Sequence, residues 1–206
     1  MRNKIILICG SPGTGKTTLA IKLASFLGID QVVSTDIVRE TLRSLSSKEK
    51  SPTLFSTTHE SWKFLGEKTQ ENLSKGSRIH SKVIFNQVVH LINKSEKEGR
   101  SMILEGVHLI PEILDYLKLN NSDIFYFYLY IKEKEEHLKR FDLKNKKRSI
   151  FHEKWYSNYE DIKIIEENNL EEAKKRALKV IENSSFKETW SQIITQLKNK
   201  NEILYV

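Results

Sequence analysis

The sequence predicts an α/β protein with a parallel sheet built around a phosphate-binding loop. Three observations lead there. An apolar run near the N-terminus enters a glycine-rich loop with a helical pattern behind it. A second apolar run, Ser101 to Glu105, ends in a carboxylate, and a third, Asp123 to Ile131, is β-branched and aromatic-rich, with helical patterns between them.

The first run, Ile5 to Cys9, is too short for a helix of its own and suits a strand buried on both faces. Gly10-Ser11-Pro12-Gly13-Thr14-Gly15-Lys16-Thr17 fits G-x-x-x-x-G-K-[ST], and Thr18 to Leu27 continues with helical spacing to a stop at Gly28. Flexible glycines let successive N–H groups turn inward around a phosphate, and the helix beginning near Lys16 adds its dipole. Residues Gly10 through Thr18 are therefore expected to cradle ATP. Lys16 is expected on the β- and γ-phosphates and the Thr17 hydroxyl on Mg²⁺.

Val32 and Val33 read as a short second strand leaving through Ser34 and Thr35 into Asp36. A carboxylate at a strand's carboxyl end lies where open α/β sheets bind ligands, so Asp36 is a candidate to orient or deprotonate an acceptor hydroxyl. It equally suits the N-cap of the helix pattern Ile37 to Leu45. Arg39 and Arg43, four apart on that helix, form a candidate anion clamp. Ser46 to Thr58 reads as a mobile loop. Helices are expected over Glu60 to Leu73 and Arg78 to Glu98, divided at Lys75-Gly76-Ser77, the second with a core stripe of Ile79, Val83, Val88, Leu91 and Ile92. His80 and His90 are expected to be structural or exposed.

The second strand-and-carboxylate stretch places Glu105 as an acidic partner of Mg²⁺, reached directly or through water, or of an acceptor hydroxyl. Gly106 permits a ligand to approach the backbone closely, and His108 either donates to an acceptor anion or packs beneath its loop. The helix pattern from Lys132 to Arg148 is dense in basic residues. It reads either as a solvated face or as a lid carrying arginines, with Arg140 and Arg148 the candidates for phosphoryl oxygens. Trp155 to Ala177 forms a long amphipathic helix, Leu178 to Ile181 a last strand and Phe186 to Leu197 a last helix. The intervening Glu182 to Ser185 loop brings Asn183 to the nucleotide.

Net charge is +7, yet lysines alternate with glutamates on helix patterns, as solvated faces do. The aromatics fall in core patterns, so a nucleic-acid track is not expected. One cysteine excludes an internal disulfide, and no Cys/His spacing suggests zinc. No apolar run approaches a membrane span and the first strand starts almost at Met1, so one cytoplasmic domain over 1–206 is expected. A guanine-specific switch would carry N-K-x-D, whereas Asn145-Lys146 is followed by Lys147-Arg148.

In order, G-S-P-G-T-G-K-T-T, S-T-D-I-V-R-E, S-T-T-H-E-S-W-K, L-E-G-V-H-L-I-P and H-L-K-R-F resemble the archaeal 2-phosphoglycerate kinases from about Lys4 to Leu197. That resemblance implies a P-loop kinase fold with a five-stranded parallel sheet and a helical lid over about 132–150. It implies ATP and Mg²⁺ as cofactors and a small phosphorylated carboxylic acid as partner. It favours Lys16 and Thr17 for nucleotide and metal, Asp36 and Arg39 for the acceptor, Glu105 and His108 around the reacting centre, and Arg140 for the lid. A short relative, mevalonate 3-phosphate 5-kinase, has a chemically similar acceptor, and an RNA-directed kinase such as a seryl-tRNA kinase is the alternative outside this group.

Overall fold

Continuous apolar runs form the middle of the sheet. In the computed structural model, which describes residues 2–145 and 153–202, β1 (Asn3–Gly10) leads through the glycine-rich loop into α1 (Lys16–Leu27). Then follow β2 (Gln31–Ser34), α2 (Thr35–Ser44), α3 (Gln70–Lys82), α4 (Phe85–Lys97), β3 (Met102–Glu105) and β4 (Ser122–Tyr130). The chain continues through α5 (Lys134–Asn145), α6 (Glu153–Ser157), α7 (Tyr159–Lys175), β5 (Lys179–Glu182) and α8 (Phe186–Glu202). The five strands are all parallel in the order β2-β3-β1-β4-β5. Parallel neighbours need long crossovers, and the helices supply them.

Alternation along the central strands feeds two cores. Ile5, Leu7, Leu104, Tyr126 and Tyr128 face one side, packed with Val88 and Ile92 of α4 and Ala173 of α7. Ile6, Ile8, Ile103 and Phe127 face the other, with Leu19 and Leu23 of α1 and Ile193 of α8. Cys9 lies in the first core, where burial pushes its thiol up to about 12, which makes it inert at neutral pH. Several aromatics do reach the surface, against expectation: Phe26, Phe64, Tyr116 and Phe186 are all substantially exposed.

Three boundaries differ from the sequence reading, each for a tertiary reason. Gly76 does not divide two helices but lies within α3. A Cβ there would come within 2.5 Å of the Trp62 backbone nitrogen and 2.6 Å of the Ser61 carbonyl carbon. It is a close-packing glycine, and the break falls instead at Val83-Ile84, leaving Ile79 exposed rather than in the core stripe. The segment 46–69 is no featureless loop followed by a helix. It carries 3-10 turns at Pro52–Phe55 and Ser61–Phe64, with Leu54, His59 and Ser61 buried. The amphipathic pattern after Trp155 is interrupted at Asn158, and Ala177, at φ 53, lies beyond the helix end.

Candidate active site

The carboxyl ends of β1, β2 and β3 bring the site together. Register pairs Ile8 and Ser34 each with Glu105, so the glycine-rich loop, the start of α2 and the acidic strand end are neighbours. Gly15 caps α1 at φ 90, and a Cβ there would meet the Asn183 amide nitrogen at 2.7 Å, so both backbone and space require glycine. Lys16 is buried and its Nζ donates to the Ser11 carbonyl at 2.7 Å, which also accepts from Thr14 Oγ1 at 2.9 Å. Burial lowers the Lys16 pKa, opposed by the Glu105 carboxylate. Thr17 Oγ1 donates to Glu105 Oε1 at 3.0 Å. A hydroxyl and a carboxylate side by side are hard oxygen donors that fit Mg²⁺.

The helix α2 presents Asp36 to solvent beside this centre, its side chain 65% exposed and its Oδ1 4.0 Å from His108 Nδ1. Asp36 is not the N-cap: Ser34 is, its hydroxyl accepting from the Asp36 N–H at 3.3 Å. The acidic side chain is thereby left free of a capping role. Arg39 and Arg43 do not make an unpaired clamp. Glu40 accepts from both at 2.8 Å; Arg39 also reaches the Ser56 carbonyl at 3.2 Å, and Arg43 lies over the Phe55 ring.

His108 does not open toward the cleft. It is 1% exposed and bonds Thr35 Oγ1 at 2.9 Å and His80 Nε2 at 3.2 Å. Burial and the Arg39 charge hold it neutral, its pKa lowered to about 3. Gly106 makes room for Thr35 rather than for a ligand, because a Cβ would sit 1.8 Å from the Thr35 hydroxyl.

On the other flank, α5 grips the loop. His137 Nε2 contacts the Pro12 carbonyl at 2.6 Å, and Phe141, fully buried, lies against Gly13. Arg140 donates from Nε to Glu136 Oε1 at 2.8 Å and from Nη2 to the Asn183 and Ser184 carbonyls at 2.6 and 3.3 Å. Its Nε and Nη2 therefore join α5 to the loop after β5, while Nη1 lies beside Gly15, 3.9 Å from where a Cβ would stand. Asn183 is a clamp behind the glycine-rich loop: its amide donates to the Thr14 carbonyl at 2.7 Å and accepts from Thr189 Oγ1 at 2.8 Å. Arg148 lies outside the described residues.

Two participants gain a place here that sequence alone does not give them, one unmentioned there and one expected only to be structural or exposed. Glu166 of α7, fully buried, accepts from the Ser11 hydroxyl and from Lys163 Nζ, and lines a cavity of about 20 Å³ beside Pro12 and His59, room for one water. Its signal is position: it falls four residues after the buried Ile162, on the face a core residue would take. His80 is the other, buried four residues after Gly76 on the packed face of α3.

Comparison with known proteins bears on the family. Residues 5–87 match the model of the AAA domain family. The chain is 35% identical over 185 residues to the 2-phosphoglycerate kinase of Methanocaldococcus jannaschii, covering 90% of this chain and 60% of that one. It is 31% identical to the enzyme of that name from Methanopyrus kandleri (95% and 61%) and 30% identical to that from Pyrococcus horikoshii (95% and 64%). The chain thus spans about three fifths of the length of these curated relatives. Among solved structures, a gluconokinase from Sinorhizobium meliloti superposes with TM-score 0.56 at 12% identity, covering 98% of this chain and 95% of that one. An uncharacterised protein from Eubacterium ventriosum gives TM-score 0.51 at 15% identity over 96% and 99%.

Proposed function

The chain is by sequence a relative of the archaeal 2-phosphoglycerate kinases on a P-loop kinase fold, and from that premise we propose that it is an ATP-dependent kinase. Its acceptor is the primary hydroxyl of a small phosphorylated carboxylic acid such as 2-phosphoglycerate. The observation that carries this reading is the meeting of three groups at one sheet edge. These are the Lys16 loop, the Thr17–Glu105 pair and the exposed, unpaired Asp36 carboxylate.

Phosphoryl transfer asks mainly for positioning and charge stabilisation. Lys16, now folded onto the Ser11 carbonyl, exchanges that bond for phosphate oxygens when nucleotide enters, a movement of its flexible stem alone. Thr17 and Glu105 would hold Mg²⁺, which when bound would supply neutralising charge to the phosphates. Asp36 orients the attacking hydroxyl and accepts its proton. Arg39, whose Nε is buried without a hydrogen-bond partner, is the cation on the acceptor side. Asn183, His137 and Arg140 keep the loop in its cradle, and Glu166 fixes Ser11.

Acceptor-dependent ADP release by wild type and Asp36→Asn tests the proposal. The expected result is a turnover about 100-fold or more lower in the variant, with Mg-ATP affinity unchanged. Equal turnover in the two proteins would remove Asp36 from the reaction.

A further inference from the structure

Between the acceptor side and α2 runs a buried chain of hydrogen bonds whose polarity is fixed by counting protons. Ser61 Oγ gives its single proton to its shortest contact, the Thr57 carbonyl at 2.7 Å, and Ser56 Oγ gives its own to Ser61 Oγ at 2.8 Å, with the Thr53 carbonyl farther off at 3.1 Å. Both hydroxyls face His80 Nδ1, at 3.1 and 3.4 Å, with no proton left to give it. His80 Nδ1 therefore carries the hydrogen, an arrangement the Thr53 carbonyl also favours. A neutral imidazole has one N–H, so His80 Nε2 is an acceptor. The His108 Nε2 that meets it at 3.2 Å must be the donor. His108 Nδ1 is then a lone pair, and Thr35 donates to it at 2.9 Å.

We propose that His80 is a positioning residue: through His108 it fixes a one-way hydrogen-bond chain that keeps Asp36 unpaired and α2 locked to residues 56–82. This rests on the kinase reading of Asp36. With the opposite tautomer, His108 Nδ1 would carry an N–H facing Thr35 Oγ1 at 2.9 Å, reversing that bond and adding a donor on the side of Asp36 Oδ1, 4.0 Å away. With a lone pair there, Asp36 is left turned to solvent. The chain ties together four separate pieces of sequence: the segment holding Ser56 and Ser61, α3 through His80, the loop after β3 through His108, and the first residue of α2 through Thr35. Every polar atom in it lies on a buried or half-buried residue, so an error at one link is not repaired by bulk water. The charged groups facing the pair are Arg39 and Lys16, which disfavour protonation, and Asp36, which favours it on His80.

The test has two arms. Long-range ¹H–¹⁵N spectra of the wild-type protein at neutral pH read the tautomers directly, whether or not an acceptor has been found. The expected result is Nδ1–H for His80 and Nε2–H for His108; the reverse pair, or an imidazolium in either ring, overturns the proposal. The kinetic arm compares His80→Leu with His80→Gln, whose amide oxygen can accept from His108 Nε2 as the native ring does. His80→Leu is expected to lose roughly 10- to 100-fold in kcat with the KM for ATP unchanged, and His80→Gln to recover most of it. Wild-type kcat in the leucine variant, or a glutamine variant no better than leucine, overturns the positioning role. Should the leucine variant fail to fold, a glutamine variant with wild-type kcat and native tautomer at His108 supports it, and one with a flipped His108 and undiminished kcat overturns it.

Discussion

Replacing Asn183 by Ala would remove the clamp between the last sheet strand and the glycine-rich loop. Two buried groups lose their partners, the Thr14 carbonyl and the Thr189 hydroxyl, at a site where Asn183 itself is only 5% exposed. Each orphaned buried group costs about 1–3 kcal/mol. Water entering the vacated volume returns part of that, so a net loss of about 2–4 kcal/mol is expected. For a chain of this size each kcal/mol lowers Tm by roughly 2–4 °C, so thermal unfolding should shift down by roughly 5–15 °C. Because the freed carbonyl belongs to the loop proposed to hold phosphate, Mg-ATP should also bind about tenfold more weakly, or about 1.4 kcal/mol. Differential scanning fluorimetry and calorimetric titration read the two effects. Asn183→Asp keeps the Thr189 bond but sets a carboxylate against the Thr14 carbonyl, and should weaken nucleotide binding at least as much. An Asn183→Ala protein with Tm within about 2 °C of wild type and unchanged affinity would refute the clamp.

Gly76→Val forces a side chain into the Trp62 and Ser61 backbone; overpacking of about 1–3 kcal/mol should lower Tm and weaken the acceptor response while Mg-ATP affinity, measured separately, holds. Acidification should destabilise the protein through the histidine pair. His80 and His108 have pKa values lowered to about 3 in the folded state and near 6.5 when unfolded, so the unfolded chain binds more protons between those values. Stability is therefore full above about pH 6.5 and falls as pH drops, by up to about 1.4 kcal/mol per pH unit for each ring. Urea midpoints at pH 7 and 5 should diverge more for wild type than for His80→Leu; equal slopes would contradict the buried neutral pair.

Much of this architecture is legible because strong local signals and tertiary structure agree. The run from Ile5 to Cys9 with its glycine-rich loop, the apolar approach to Glu105 and the aromatic strand through Tyr128 each become buried parallel strands, and Thr17 and Glu105 meet as hard oxygen donors. What stays hidden depends on neighbours distant in sequence. Gly76 looks like a helix stop, and only the backbone of residues 61–62 lying against it reveals a packing glycine. Asp36 resembles a cap because Asp commonly is one, but Ser34 two residues earlier takes that place. That Arg140 also ties α5 to the Asn183 carbonyl is visible only in the fold. His80 and Glu166 carry no motif at all; a polar residue on the buried face of a helix is their whole signature, and its partner must come from the fold.

The central claim is tested most directly by ADP release from Mg-ATP against a small panel of acceptors: 2-phosphoglycerate, mevalonate 3-phosphate, mevalonate and unacylated tRNA, with Lys16→Ala as the control. The account predicts turnover that depends on one of the two phosphorylated acids and vanishes in the control. No stimulation by either acid, with turnover on tRNA or only slow basal hydrolysis, would contradict it.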